Sequence, residues 1–224
     1  MQLRGVIFDL DGTLVDSAPD LRNALNQFLA ERARRPLTLV ETKAAIGDGA
    51  IKLVERAFRL TGDCPTGDAL LDEARAYISI YRGIVADPSQ LYPGVISTLK
   101  FLQEKAIGLG LCTNKPESAT RKLLDELTLT PLFSGIAGGD TFPTHKPDPA
   151  HLLGVISQMG LTPSGCVMVG DSPNDLVAAH GLQVPCILVD YGYAEDVRDL
   201  PAEATISGMN ELPAALSALG FSGL

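Results

Sequence analysis

The sequence predicts an α/β protein: a doubly wound parallel sheet with a Rossmann-like core and an inserted helical cap. Three observations carry that prediction. Five short runs, "GVIFD", "IGLGLCT", "GIAGG", "CVMVGD" and "CILVD", are apolar without alternation, as strands buried on both faces are. Helical patterns separate most of them, which argues for right-handed crossovers onto both faces of one sheet. Between the first run and the second, residues 17–87 are almost entirely helical, too long a stretch for a simple crossover.

Taken in order, the first strand carries Val6, Ile7 and Phe8 straight into Asp9 and Asp11, then Gly12 and Thr13. One carboxylate at the end of a core strand is already costly, and here there are two. The insertion follows, with helical patterns "APDLRNALNQFLAERA", "LVERAFRL" and "GDALLDEARAYISIYRGIV" punctuated by "GDGA" and "DCPTGD". Hinges are expected near Asp16–Pro19 and Asp87–Pro93, so residues 1–16 and 88–224 form the core and 17–87 the cap. The second strand ends in Thr113-Asn114-Lys115 before the helix "PESATRKLLDELTL". After the third comes "HKPDP" with Lys146, then the helix "PAHLLGVISQMG"; the fourth ends in "GDSPND" with Asp171 and Asp175.

Composition narrows the classes of function. The 224 residues carry a formal net charge of −9, with 5% aromatics and no Trp, so the chain repels polyanions and has little from which to build a base-stacking platform. Nucleic acid is not an expected partner. No window is apolar for the length of a bilayer span, and the N-terminus lacks a signal-peptide cleavage pattern, so no membrane partner and a cytoplasmic location are expected. Cys64, Cys112, Cys166 and Cys186 form no CxxC pair and read as reduced, mostly buried thiols.

In a doubly wound sheet, ligands bind outside the carboxyl ends of the strands, where these polar residues collect. Each has a bland reading by itself. Thr113 and Asn114 suit a cap for the helix opened by Pro116; Ser172, Pro173 and Asp175 suit an N-cap, a first-turn proline and a capping-box acid; Lys146 suits a solvated loop. His145, His151 and His180 have no ligand spacing and read as surface or satisfied side chains. Capping does not explain Asp9 and Asp11, or the arrival of Asp171 at the matching edge of another strand. Carboxylates brought to one rim repel one another, by about 4 kcal/mol per pair at 4 Å and an effective dielectric of 20. A hard dication removes that repulsion, and an all-oxygen ligand set suits magnesium.

"DLDGT", "TNK", "KPDP" and "GDSPND", in this order, resemble the four motifs of the haloacid dehalogenase superfamily of aspartate-nucleophile phosphatases. The resemblance spans nearly the whole chain, and the helical insertion is similar to that family's mobile cap. "FDLDGTLVDSAPDL", "GDGAIKLVERAF", "LYPGV" and "DYGY" are similar to phosphoglycolate phosphatases within it. One departure is Gln183, where relatives usually place a glycine before the next strand.

The resemblance implies a magnesium-dependent phosphomonoesterase acting on a small phosphorylated metabolite, with 2-phosphoglycolate expected, through an aspartyl-phosphate. It implies Asp9 as nucleophile and Asp11 as general acid and base. Asp9 and Asp171 would ligate magnesium by carboxylates, and Asp11 by its backbone carbonyl. Thr113, Asn114 and Lys146 would hold phosphate, and Asp175 would orient Lys146 or a metal-bound water. The Gly47–Ala50 loop is expected to close over the site, with Lys115 a further candidate for meeting a substrate carboxylate. A phosphatase of another small metabolite such as a sugar phosphate, and a sugar-phosphate mutase, are the alternatives. A dehalogenase has no use for Asp11 and Asp171; a phosphonate-cleaving relative would need a Schiff-base lysine, for which Lys43 and Lys52 are unmarked candidates. A non-catalytic phosphate sensor would not need Asp11.

Overall fold

The structure is a computed structural model and describes residues 1–83 and 90–224. β1 (Gly5–Phe8), β2 (Gly108–Cys112), β3 (Gly135–Ala137), β4 (Cys166–Gly170), β5 (Cys186–Val189) and β6 (Ala204–Ile206) form one parallel sheet in the order β3-β2-β1-β4-β5-β6. The five expected strands are present, and β6 is an addition to them. Thr205 interrupts its apolar residues and Glu203 and Ser207 flank it, so no apolar run announces it.

The period of two along each strand divides the core. Val6 and Phe8 of β1, with Val167 and Val169 of β4, face one apolar cluster; Ile7, Cys166 and Met168 face the other. Helices α5 (Val95–Glu104), α6 (Glu117–Glu126) and α9 (Leu212–Ala218) cover the first face, α7 (Pro149–Gln158) and α8 (Pro173–His180) the second. The strands therefore read as continuous hydrophobic runs because both faces are roofed.

Between β1 and α5 the chain forms α1 (Ala18–Ala30), α2 (Leu39–Ala45), α3 (Gly49–Thr61) and α4 (Asp68–Tyr81). They pack around a separate apolar cluster in which Phe28 meets Phe58 and Tyr77 edge to face, at ring-centroid distances of 5.6 and 6.0 Å. α2 starts on a capping box: Thr38 Oγ1 accepts from Glu41 N, and Glu41 Oε2 accepts from Thr38 N. At the entry to this unit, Asp16 N donates to Gln90 O (2.7 Å) and Tyr92 N to Leu14 O (3.1 Å), so the two connecting segments lie side by side, antiparallel. The expected boundary at 87/88, and the second hinge where it begins at Asp87, lie outside the described residues.

The register sets what the rim of the sheet presents. Phe8 of β1 stands opposite Leu111 of β2 on one side and Val169 of β4 on the other. The residues leaving these three strands are Asp9, Thr113 and Asp171, which thus share one edge, at the point where strand order reverses.

Candidate active site

Asp9 leaves β1 buried, at 8% relative exposure. The next turn folds back sharply: Gly12 N donates to Val15 O, and Leu14 N and Val15 N both donate to Leu10 O. Gly12 has a φ of +87°, and a Cβ there would stand 2.2 Å from Asp171 Oδ2. The turn requires glycine for its conformation and also for the close approach of the Asp171 carboxylate.

Single ligand oxygens from Asp9, Asp171 and Asp175 lie within 4.8 Å of one another, all three residues buried. They differ in how far they are satisfied. Asp175 Oδ2 accepts from Asp171 N, Ser172 N and Ser172 Oγ, and its Oδ1 receives Lys146 Nζ at 2.6 Å. Asp171 Oδ2 accepts from Tyr193 N at 2.7 Å. Asp9 Oδ1 lies 2.9 Å from Lys146 Nζ as an ion pair, yet has no partner in hydrogen-bond geometry. A buried carboxylate oxygen with spare capacity beside a second buried carboxylate is what a hard cation would complete. The residues present fit a magnesium ion held by Asp9 and Asp171, with Asp175 already committed to Lys146 and its own loop.

The electrostatics agree. Burial pushes Asp9 up to about 6, against the pull of Lys146 and with a push from Asp175. Asp171 is raised well above the carboxylate range by burial, then by the charges of Asp9 and Asp175. Lys146 is raised: burial opposes its charge, but Asp175 and Asp9 outweigh it. The solvated reading of Lys146 is overturned, since it is 2% exposed and sits between two carboxylates.

Asp11, two residues from Asp9, is held apart from this cluster. Its Oδ1 accepts from Ser17 Oγ at 2.5 Å, and Lys115 Nζ lies 3.0 and 3.2 Å from its two oxygens. Lys115 is buried beneath Tyr81, with Nζ 4.5 Å from the ring centroid. Sequence reasoning considered Lys115 for a substrate carboxylate and missed its pairing with Asp11. Ser17 was missed altogether; its place six residues beyond Asp11 gave no signal.

Thr113 and Asn114 do not cap α6, whose first amide, Glu117 N, donates instead to Asp140 Oδ1 at 2.7 Å. Asn114 Nδ2 bridges Lys146 O (2.8 Å) and Gly47 O (3.0 Å), tying two loops of the site together. From the first turn of α8, Asn174 Nδ2 reaches Asp48 Oδ1 at 2.7 Å, and Arg56 pairs with the same carboxylate. The Gly47–Ala50 loop thus lies against the strand ends. Ser172 and Asp175 form the expected capping box of α8, and Asp148 caps α7 through Ala150 N. His151 is a satisfied core residue: Nε2 pairs with Gly138 O and Nδ1 lies 3.6 Å from Cys112 Sγ. Burial lowers His151 to about 4 and raises Cys112 to about 12, so this pair is neutral and not a nucleophilic dyad. All four cysteines are free, and among the described residues no helix is long and apolar enough to cross a membrane.

A cavity of about 660 Å3 lies between α1–α4 and the sheet rim, lined by Asp9, Asp11, Thr113, Asn114 and Asp171 on one side and by Lys43, Gly47–Ala50, Arg56 and Tyr77 on the other.

The chain matches the haloacid dehalogenase-like hydrolase family over residues 3–182. It is 43% identical over 193 residues to Phosphoglycolate phosphatase 1 of Pseudomonas aeruginosa, covering 85% of this chain and 70% of that one. It is 38% identical over 214 residues to a phosphoglycolate phosphatase of Caulobacter vibrioides, covering 94% and 89%. The crystal structure of a predicted phosphoglycolate phosphatase from Haemophilus somnus 129pt superposes with a TM-score of 0.88 at 30% identity, over 96% of this chain and 98% of that one. β-Phosphoglucomutase from Clostridium difficile superposes at 0.78 with 18% identity, over 97% and 99%, a likeness of fold alone.

Proposed function

We propose, from the premise that the chain belongs to the haloacid dehalogenase-like hydrolase family, that it hydrolyses 2-phosphoglycolate to glycolate and phosphate through an aspartyl-phosphate on Asp9. The observation that carries this reading is the Asp9 carboxylate: buried, with an unpartnered oxygen, and flanked by Lys146 and Asp171 at the switch point of the sheet. Asp9, Asp171 and the Asp11 backbone carbonyl would hold magnesium, which when bound would supply charge neutralisation between the phosphate dianion and these carboxylates.

In the first step an Asp9 oxygen forms a bond to phosphorus as the ester oxygen departs with a proton from Asp11. In the second, Asp11 takes a proton from water as that water attacks phosphorus, releasing phosphate and restoring the Asp9 carboxylate. Lys146 offsets the repulsion between Asp9 and the incoming dianion, and Asp175 keeps Lys146 aimed at Asp9. Thr113 and Asn114 line the cavity with Asp9 and are assigned to hold the equatorial oxygens. Asp11 receives hydrogen bonds from Ser17 and Lys115, so its proton transfer requires the Lys115 contact to loosen once substrate enters. We assign residues 17–87 the role of a cap that excludes water from these steps, and place the enzyme in the cytoplasm, where its buried thiols stay reduced.

A second reading has one observation in its favour. A cavity of about 660 Å3 is roomy for so small an acid and would admit a larger phosphorylated metabolite such as a sugar phosphate. The experiment is kcat/KM across small phosphoacids and sugar phosphates, with and without magnesium, for the parent and Asp9→Asn. We expect 2-phosphoglycolate to exceed the sugar phosphates by at least about 100-fold, with turnover lost in Asp9→Asn. A flat profile would remove the substrate assignment, and a metal-dependent Asp9→Asn enzyme would remove the nucleophile.

A further inference from the structure

Three cationic side chains line the cavity: Lys43, Arg56 and Lys115. Two are already neutralised. Arg56 pairs with Asp48 and donates to Ala45 O, and Lys115 is held by both oxygens of Asp11. Lys43 has no carboxylate within ion-pair distance among the described residues. Its Nζ instead rests 5.4 Å from the centroid of the Tyr193 ring. Lys43 stands in the last turn of α2, where the helix dipole alone would welcome a cation. The dipole does not account for the seat over Tyr193.

That seat is fixed at both ends. Tyr193 N donates to Asp171 Oδ2 at 2.7 Å, and its hydroxyl lies 2.9 Å from Asp16 Oδ1 while accepting from Ala18 N at 2.9 Å. Tyr193 therefore ties the position of Lys43 to the carboxylate rim. The same cavity is lined by Asp9, Asp11, Asp48, Asp171 and Glu195, and the protein as a whole is strongly acidic. A substrate bearing a carboxylate as well as a phosphate meets repulsion from most of these walls.

We propose that Lys43 is the specificity-determining residue that receives the substrate's carboxylate, selecting a phosphorylated acid over a neutral phosphate ester. The assignment rests on the phosphatase reading above. Lys43 would act on the non-reacting end of the molecule, so its loss should appear chiefly in KM. Arg56 would keep its present partner, serving the Gly47–Ala50 loop through Asp48, and Lys115 would stay beside Asp11 even as their contact loosens for proton transfer.

The test compares 2-phosphoglycolate with 2-hydroxyethyl phosphate, which replaces the carboxylate by a neutral alcohol, and with 2-aminoethyl phosphate, which replaces it by a cation. In Lys43→Gln the ratio of kcat/KM for the acid over the alcohol should fall by about 30-fold, the scale of a lost charge-assisted contact. Lys43→Arg should keep most of the ratio, and Lys43→Glu should turn the preference toward the amine. Thermal melting of each variant separates these effects from a failure to fold. A parent enzyme that treats acid and alcohol alike would overturn the phosphoglycolate reading and this inference with it. A parent that prefers the acid, with that preference unchanged within about threefold in Lys43→Gln, would overturn the role of Lys43 alone.

Discussion

Lys146 Nζ lies 2.6 Å from Asp175 Oδ1 and 2.9 Å from Asp9 Oδ1, with the lysine side chain 2% exposed. One buried cation is thus shared between a carboxylate that belongs to its own loop and one that is expected to react. Removing one partner of a buried pair leaves an uncompensated charge, which costs about 3–5 kcal/mol. Asp175→Asn keeps the size of the side chain and an acceptor for the capping box but leaves Lys146 tied to Asp9 alone. Urea denaturation should show a loss of about 3 kcal/mol, and kcat should fall at least about tenfold with KM little changed. A variant with the parent kcat would show that Lys146 is aimed without Asp175.

The acidic cluster makes stability depend on metal and pH together. Asp9 ionises at about 6 in the folded, metal-free protein and at its ordinary value of 3.8 when unfolded. Below that ordinary value both states hold the proton and burial costs nothing. As pH rises from 3.8 to about 6, the unfolded chain has released a proton that the folded protein still holds, so stability falls by about 3 kcal/mol across that window and levels off above it. Asp171 acts in the same direction. A dication binding the ionised carboxylates offsets that cost. The rise in Tm on adding magnesium to chelator-treated protein should therefore be small at pH 5 and several degrees larger at pH 7.5. His151, lowered to about 4, weakens the fold as pH drops from 6.5, but it does so with and without metal and cancels in the difference. A magnesium effect that does not change with pH would mean the ion is not held by Asp9 and Asp171.

What the sequence made legible were features with a repeating or paired signal. The runs of β1, β2, β4 and β5 are apolar because both faces are covered, and Asp9 and Asp171 were visible because acids at the ends of such runs have no packing explanation. β6 was not, because Ala204–Ile206 sets Thr205 between its apolar residues and is flanked by Glu203 and Ser207, so no continuous apolar run marks it. The partners of Asp11 were hidden for a different reason. Ser17 and Lys115 sit 6 and 104 positions away, and only the sheet register and the cap entry bring them together. Gln183 was legible as a departure from the usual glycine: it adopts a φ of +57°, the left-handed conformation that glycine enters without strain. The turn after α8 forms regardless, with Val184 N bonded to Ala179 O at 3.0 Å.

Gly47 and Asp48 carry a contact between the inserted helices and the first turn of α8. Asn174 Nδ2 donates to Asp48 Oδ1 at 2.7 Å and reaches Gly47 O at 3.4 Å. Arg56 holds the other oxygen of Asp48 from α3, so Asn174 joins α8 to a carboxylate that α3 has already oriented. The grip is partly exposed and therefore contributes about 1 kcal/mol, too little to matter for folding but enough to shift a closing equilibrium severalfold. Asn174→Ala should raise KM for 2-phosphoglycolate about five- to tenfold, with kcat within threefold and Tm within about 2 °C of the parent. If closure limits turnover, the same loss must instead appear in kcat, and a change in neither would mean that the Asn114–Gly47 hydrogen bond alone is enough to seat the loop.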